Sequence, residues 1–313
     1  MSKIVITGGA GFIGSHIAEE IAKEHEVVII DNLDDYYSPD LKRRNLEILL
    51  ANPNVRFIEG DVTNLDLLRR IIDSDVDFVF HEAAQAGVRI SVEDPFKPNN
   101  VNVLGTLNVL KASLDAGVKR VINASSSSVY GKVQYLPFDE AHPTIPVSPY
   151  GVSKLAAEHY CRVFYEIYGL PTVSLRYFTV YGPRMRPDLA ISIFTQKMLA
   201  NEPITVFGDG EQTRDFTYID DIVRVNQRLL GTSAADGYAM NIGGGHRIAV
   251  NDLIDHLREI TASASEAVYS NKHKGDVEHT LAELALAKKL VGYIPQVSIE
   301  EGLDKFVEWY RGT

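Results

Sequence analysis

One cysteine in 313 residues, Cys161, leaves no disulfide framework and no multi-cysteine zinc or iron–sulfur centre. The chain does not need one: at this length about 75% of the unfolded surface can be buried in an ordinary core. Thirteen prolines and 23 glycines are near average usage, which excludes collagen-like and low-complexity classes. No apolar run approaches the ~18 residues of a membrane span. The chain enters an apolar stretch directly after Met1-Ser2-Lys3, without a signal-peptide pattern, so the expectation is a cytoplasmic protein. Positive charge is scarce as well, with 31 Lys and Arg against 42 Asp and Glu and a formal net charge of −11. The only dense basic cluster is Lys42-Arg43-Arg44. Proteins that hold polyanions by counterion release are basic at least locally, so neither nucleic acid nor an anionic membrane is an expected partner. A small anionic ligand stays open, because local dipoles can outweigh a distant net charge.

What is present is an alternation. Ile4-Val5-Ile6, Val27-Val28-Ile29-Ile30, Val55-Arg56-Phe57-Ile58, Phe78-Val79-Phe80 and Val121-Ile122 read as buried strands. Helix-length stretches over 13–23, 40–50, 65–72 and 102–116 separate them. A further helix over 150–168 and a strand over 173–177 continue the pattern. Apolar, β-branched strands alternating with helices predict βαβ units, a parallel sheet covered on both faces and right-handed crossovers. The expected fold class is therefore α/β, a Rossmann-type doubly wound parallel sheet. Beyond residue 178 the pattern loosens around Pro183, Pro187, Pro203, Gly208 and Gly210. At about 150 residues per domain the length suggests two units. The expected division is 1–178 and 179–313, the second a smaller α/β lobe packed against the first with some segments returning to it.

Thr7-Gly8-Gly9-Ala10-Gly11-Phe12-Ile13-Gly14 joins the first strand to the first helix with glycine spacing G-x-x-G-x-x-G. Glycine permits the tight turn and lets backbone approach a pyrophosphate, and the helix start supplies free N–H groups and positive potential. A purely structural turn is the alternative. Asp31 ends the second strand, where a carboxylate accepts hydrogen bonds from adenosine ribose hydroxyls and repels a 2′-phosphate, which favours NAD over NADP. Asp61-Val62, after the third strand, falls where an adenine ring would lie, although a strand-end turn explains Asp61 equally well. Together these features predict dinucleotide binding.

Tyr150-Gly151-Val152-Ser153-Lys154 places a phenol and an ammonium at i and i+4 on one helix face. A nearby ammonium and an oxidised nicotinamide would lower the phenol's pKa from its usual value near ~10 and let it act as a base. Upstream, Asn123-Ala124-Ser125-Ser126-Ser127-Ser128-Val129-Tyr130-Gly131 follows a strand, where ligands bind in open α/β sheets. A solvated loop is the alternative for the serine run. His81 reads as a strand-end core histidine.

These motifs resemble the extended short-chain dehydrogenase/reductase superfamily, and within it the nucleotide-sugar 4-epimerases. The likeness extends through His81-Glu82-Ala83-Ala84, Asn102-x-x-Gly105-Thr106, Leu175-Arg176-Tyr177-Phe178-Thr179-Val180-Tyr181-Gly182-Pro183-Arg184 and Arg214-Asp215-Phe216-Thr217-Tyr218-Ile219-Asp220-Asp221. The resemblance implies a catalytic set of Ser126, Tyr150 and Lys154. It implies NAD contacts at Gly8, Gly11, Phe12, Ile13, Gly14, Asp31, Asn32, Asp61, Val62, Ala83, Ala84 and Asn102, with Tyr150 and Lys154 reaching the nicotinamide end. For the sugar nucleotide it implies Ser127, Ser128, Thr179, Arg214 and Asp276. His273 stands where the family often has an arginine.

The activity so implied is 4-epimerisation of a UDP-hexose through a transient 4-keto sugar, with NAD recycled and a homodimer formed through helices 102–116 and 150–168. Ser127-Ser128 carry no carboxylate where related dehydratases and decarboxylases have one, which favours simple epimerisation. UDP-glucuronate is the alternative substrate. A net NAD-dependent dehydrogenase and a non-catalytic NAD-binding protein are the alternative functions.

Overall fold

The computed structural model describes residues 1–271 and 277–312. Seven strands form one sheet: β1 (Lys3–Thr7), β2 (Glu26–Asp31), β3 (Val55–Glu59), β4 (Val76–His81), β5 (Arg120–Ser126), β6 (Thr172–Tyr177) and β7 (Ala239–Ile242). All neighbours pair in parallel, in the order β7-β6-β5-β4-β1-β2-β3. The order reverses between β1 and β4, the switch point at which open α/β sheets leave a crevice. This is the doubly wound Rossmann-type sheet that the alternation predicts.

The strand period of two explains both cores. Ile4, Ile6, Val27 and Ile29 face α1 (Phe12–Ile21) and α2 (Pro39–Leu50), against Ile17, Ala18, Leu46 and Leu49. Val5, Val28 and Ile30 face the other way, onto Leu68 of α3 (Leu65–Ile71), Val109 of α4 (Gly105–Ala116) and Cys161 of α5 (Pro149–Tyr168). Each such buried aliphatic side chain contributes about 1.5–3 kcal/mol relative to exposure. Helix ends follow local chemistry. Asn64 accepts from Leu67 N at 3.0 Å and Ser148 from Gly151 N at 3.1 Å, with Pro149 pre-set for the first turn. At the other end of α5, Gly169 closes the helix at φ 72°.

The helix expected over 102–116 begins earlier, as a π-helical stretch Asn99–Leu104. There Thr106 Oγ1 takes the Asn102 carbonyl at 2.5 Å, in competition with the regular backbone bond. Strand β7 comes from the irregular second half and completes the sheet beside β6. The core on the α1 face also continues into that half, through Phe194, Ile204, Val206, Phe216 and Leu253. Buried Asp215 fastens it: its carboxylate accepts from Gly244 N (2.6 Å), Gly245 N (3.2 Å) and Ala282 N (2.9 Å). Among the described residues no helix is long and apolar enough to cross a membrane.

Candidate active site

A cavity of about 480 Å³ opens across the carboxyl ends of β1 to β6. One end is built from the first turn. Gly8 stands at φ +71°, and a Cβ there would lie 2.6 Å from Ala83 N, so only glycine lets the two loops cross. A Cβ on Gly14 would lie 2.3 Å from Gly8 O. Gly11 caps α1 without any side-chain hydrogen bond, leaving the helix start to the cavity, which Phe12, Ile13 and Gly14 also line. Asp31 holds the next loop, accepting from Ala10 N (3.1 Å) and Leu33 N (2.9 Å), and burial pushes its carboxyl up. Asp61 accepts from Thr63 N (2.8 Å) and Asn32 Nδ2 (2.8 Å), so the turn role and the cavity position coexist.

The other end gathers the hydroxyls. Ser125 donates to Glu158 Oε1 at 2.5 Å, part of a buried network in which Arg176 pairs with both Glu158 oxygens (2.9 and 2.8 Å) and donates to Tyr130 OH (2.9 Å). The next residue, Ser126, is free of that network. Its Oγ accepts from Ser128 N and donates to Ser128 Oγ, both at 3.2 Å, and it hydrogen-bonds the Tyr150 phenol. Tyr150 is anchored by its backbone N–H, which donates to Ser91 Oγ at 3.1 Å. Lys154 Nζ donates to Ala124 O at 2.7 Å, and burial pushes the ammonium down to about 8.

The expected pKa effect on Tyr150 needs a correction. Burial pushes the phenol up; the Ser126 hydrogen bond and the charge of Arg186 oppose this, and Lys154 does not. The lysine is turned toward Ala124, so Arg186, which the sequence reading did not single out as a site residue, is the cation that faces the phenol. Arg186 is itself held by Asp188 at 2.9 and 3.1 Å, and Tyr36 OH donates to the same carboxylate at 2.9 Å.

Of the residues expected at the site, Gly8, Gly11, Phe12, Ile13, Gly14, Asp31, Asn32, Asp61, Val62, Ala83, Ala84, Ser126, Ser127, Ser128, Tyr150, Lys154, Thr179 and Arg214 line this one cavity. Asn102 does not. Its Oδ1 accepts from Gln85 N (2.8 Å), and its Nδ2 donates to Gln85 O (3.1 Å) and Ser153 Oγ (2.9 Å). Fully engaged and buried, it fixes the loop after β4 instead of facing a ligand. Asp276 and His273 lie outside the described residues. Arg214 donates to Thr213 O (3.0 Å) and Glu278 O (3.1 Å).

Sequence reasoning missed Tyr36, Tyr37, Lys42, Glu82 and Gln85, all of which line the cavity. Glu82, directly after β4, accepts from Tyr177 OH at 3.2 Å; burial pushes its carboxyl up to about 7 against the pull of Lys154 and that hydrogen bond. Its position just past a strand's carboxyl end was the available signal. His81 is structural, with Thr7 Oγ1 at 2.7 Å and Thr106 Oγ1 at 3.0 Å, and burial pushes it down to about 3.

A Rossmann-type sheet whose switch-point crevice joins a glycine-lined helix start to a buried lysine and a half-buried tyrosine and serine defines a dinucleotide-dependent enzyme of the short-chain dehydrogenase/reductase type. The chain belongs to the NAD dependent epimerase/dehydratase family, whose sequence profile matches residues 4–243. It is 42% identical over 319 residues to a UDP-glucuronate 4-epimerase of Thermodesulfobacterium geofontis, covering 99% of this chain and 97% of that protein. Among solved structures, the UDP-glucose 4-epimerase of Thermotoga maritima with UDP-glucose is 38% identical with a TM-score of 0.92. The UDP-glucuronic acid 4-epimerase of Bacillus cereus, in complex with UDP-glucuronic acid and NAD, is also 38% identical, with a TM-score of 0.95. Each structural match covers 99% of both chains.

Proposed function

We propose that the protein is an isomerase that interconverts the C4 epimers of a UDP-hexose, UDP-glucose and UDP-galactose or their N-acetyl forms, using tightly held NAD. The observation that carries this reading is that Ser126, Tyr150 and Lys154 stand at one end of a cavity whose other end is the uncapped, glycine-lined start of α1. The residues fit the cofactor. The α1 start would receive the pyrophosphate, Asp31 the adenosine ribose, and Asp61 and Val62 the adenine, while Lys154, here held at Ala124 O, would turn to the nicotinamide ribose. When bound, NAD supplies the hydride acceptor and donor for C4.

Ser126 hydrogen-bonds the sugar's 4-oxygen, and Tyr150 removes the 4-hydroxyl proton and later returns it to the 4-keto sugar after that sugar has turned over. Burial favours the protonated Tyr150; the Ser126 hydrogen bond and the charge of Arg186 oppose it, and the positive ring of NAD would add to them when bound. Residues 1–178 carry the cofactor half, and residues 179–313 mainly the sugar-nucleotide half. Thr179 and Arg214 belong to the latter and line the same cavity as Ser127 and Ser128; the resemblance adds Asp276.

Arg186 favours a second reading, UDP-glucuronate. A guanidinium lining the same cavity as the hydroxyls of Ser127, Ser128 and Thr179 suits a C6 carboxylate. Two of its donors are already engaged by Asp188, which is why the neutral hexose remains the first reading. The test is incubation with UDP-glucose, UDP-N-acetylglucosamine and UDP-glucuronate in turn, without added NAD, and separation of the epimers. Turnover of UDP-glucuronate alone would replace the first reading with the second, and stoichiometric NADH release would replace both with a net dehydrogenase.

Val152, Tyr160, Val163 and Ile167 fall on one face of α5 and are exposed, which supports a homodimer through that helix. The acidic charge and the absence of a long apolar helix among the described residues support a cytoplasmic location.

A further inference from the structure

The proposed chemistry leaves one half-buried acid unused. Of the carboxylates among the described cavity-lining residues, Asp31, Asp34 and Asp61 sit on the loops after β2 and β3, at the far end. Glu82 alone sits with the residues at the ends of β5 and β6. From the end of β4 its carboxylate reaches across the end of β5 to Tyr177 OH on β6, at 3.2 Å. Tyr177 OH is also the acceptor for Asn226 Nδ2 at 2.9 Å, from the helix Ile219–Arg228. The phenol's single proton is thereby committed to Glu82, an arrangement that favours the carboxylate. The charged group facing it from the opposite layer is Lys154 on α5, whose ammonium is held at Ala124 O. The neighbouring imidazole, His81, is tied to Thr7 and Thr106.

Hydride transfer changes charge at this end of the cavity. An oxidised nicotinamide carries a positive charge on its ring and a reduced one is neutral, so fixed charges nearby decide which form is held more tightly. Lys154 and Arg186 would favour the reduced ring; Glu82 counters the first and Asp188 the second. We propose that Glu82 is a positioning residue for charge, whose carboxylate favours the oxidised over the reduced nicotinamide and so keeps the resting enzyme ready to accept hydride. This rests on reading the cavity as the NAD site. Burial pushes the acid up to about 7, so its charge is lost as pH falls through neutrality.

The test is a cofactor-exchange measurement that requires no turnover. Purified holoenzyme is equilibrated with mixtures of NAD and NADH, stripped of free cofactor, and its bound NADH read by near-ultraviolet absorbance. Above pH 7, Glu82→Gln is expected to shift the bound ratio toward NADH by about tenfold, or about 30 mV for a two-electron couple, the effect of removing one unit charge ~12 Å away at an effective dielectric near ~20. Glu82→Asp is expected to keep most of the wild-type preference. In the wild type the preference for NAD should weaken in two steps as pH falls, through about 8 and about 7, whereas Glu82→Gln should show one step only, moved below 8 because Glu82 no longer raises Lys154. An unchanged ratio in Glu82→Gln, or two steps in both proteins, overturns the proposal. Should Glu82→Gln not retain cofactor, the wild type decides, because a flat profile through 7 overturns the proposal on its own. A wild type that takes up neither cofactor form would overturn the NAD reading, and this proposal with it.

Discussion

Gly14→Ala puts the phosphate end of the cavity to a quantitative test. The added Cβ would stand 2.3 Å from Gly8 O, and 2.9 Å from both Gly8 C and Gly9 Cα, all backbone atoms that no rotamer change can clear. To restore an ordinary contact near ~3.4 Å, the start of α1 must move away from the turn by roughly 1 Å. Overpacking of this kind costs about 1–3 kcal/mol, against a gain of about 0.8–1 kcal/mol from replacing glycine by alanine in a helix. The net change in stability is therefore at most about 2 kcal/mol. Cofactor binding responds more strongly, because the groups that move are the N–H donors at the helix start. A hydrogen bond to a charged group contributes about 1.5–3 kcal/mol, so misplacing two of them weakens NAD by about 3–6 kcal/mol, or 10²–10⁴ in Kd. Titration calorimetry with NAD and a thermal melt on the same preparation separate the two effects. An alanine variant that binds NAD as tightly as the wild type, with an unchanged melt, would refute the assignment of this turn to the pyrophosphate.

Three further outcomes follow from the geometry. Glu158→Ala leaves Arg176 buried without its carboxylate and should cost about 3–5 kcal/mol in urea unfolding, part of which Glu158→Leu combined with Arg176→Met should recover. Burial holds Lys154 near 8 in the folded protein against 10.5 in an exposed lysine, so the folded state sheds this proton first. Turnover should fall as pH rises through about 8, while stability gains from this group between about 8 and 10.5; Lys154→Arg should abolish the fall in its residual rate. His81 is held neutral down to about 3, whereas its unfolded form takes up a proton near 6.5. Stability from this residue is present above 6.5 and is lost as pH falls toward 3, so His81→Gln should show a shallower decline in melts recorded across that window.

The sheet was legible because its apolar runs are short, β-branched and separated by helix-length segments, and each central strand through β6 lies where the pattern puts it. β7 was not, because Ala239–Ile242 sits in a segment whose turns hide its pairing partner more than sixty residues upstream. The site was legible wherever a residue lies in an unbroken local motif, as Gly8 to Gly14 and Ser126 to Tyr150 do. Asn102 misled because a motif records that an amide is needed and not which way it faces; here it faces the Gln85 backbone. For Lys154 the i,i+4 spacing fixes the helix face and not the aim of a four-carbon side chain, which here donates to Ala124 O. Arg186 and Glu82 reach the same cavity from segments far apart in the chain, and only the folded topology brings them together.

The central claim is that hydride leaves C4 of a UDP-hexose and returns to the same carbon within one binding event. UDP-glucose carrying deuterium at C4, incubated with the enzyme in ordinary water without added NAD, tests this by NMR of the product. The account predicts UDP-galactose with the deuterium retained at C4 in the wild type, and no product from Tyr150→Phe beyond a trace. Loss of the label to solvent, or full turnover by Tyr150→Phe, would contradict it.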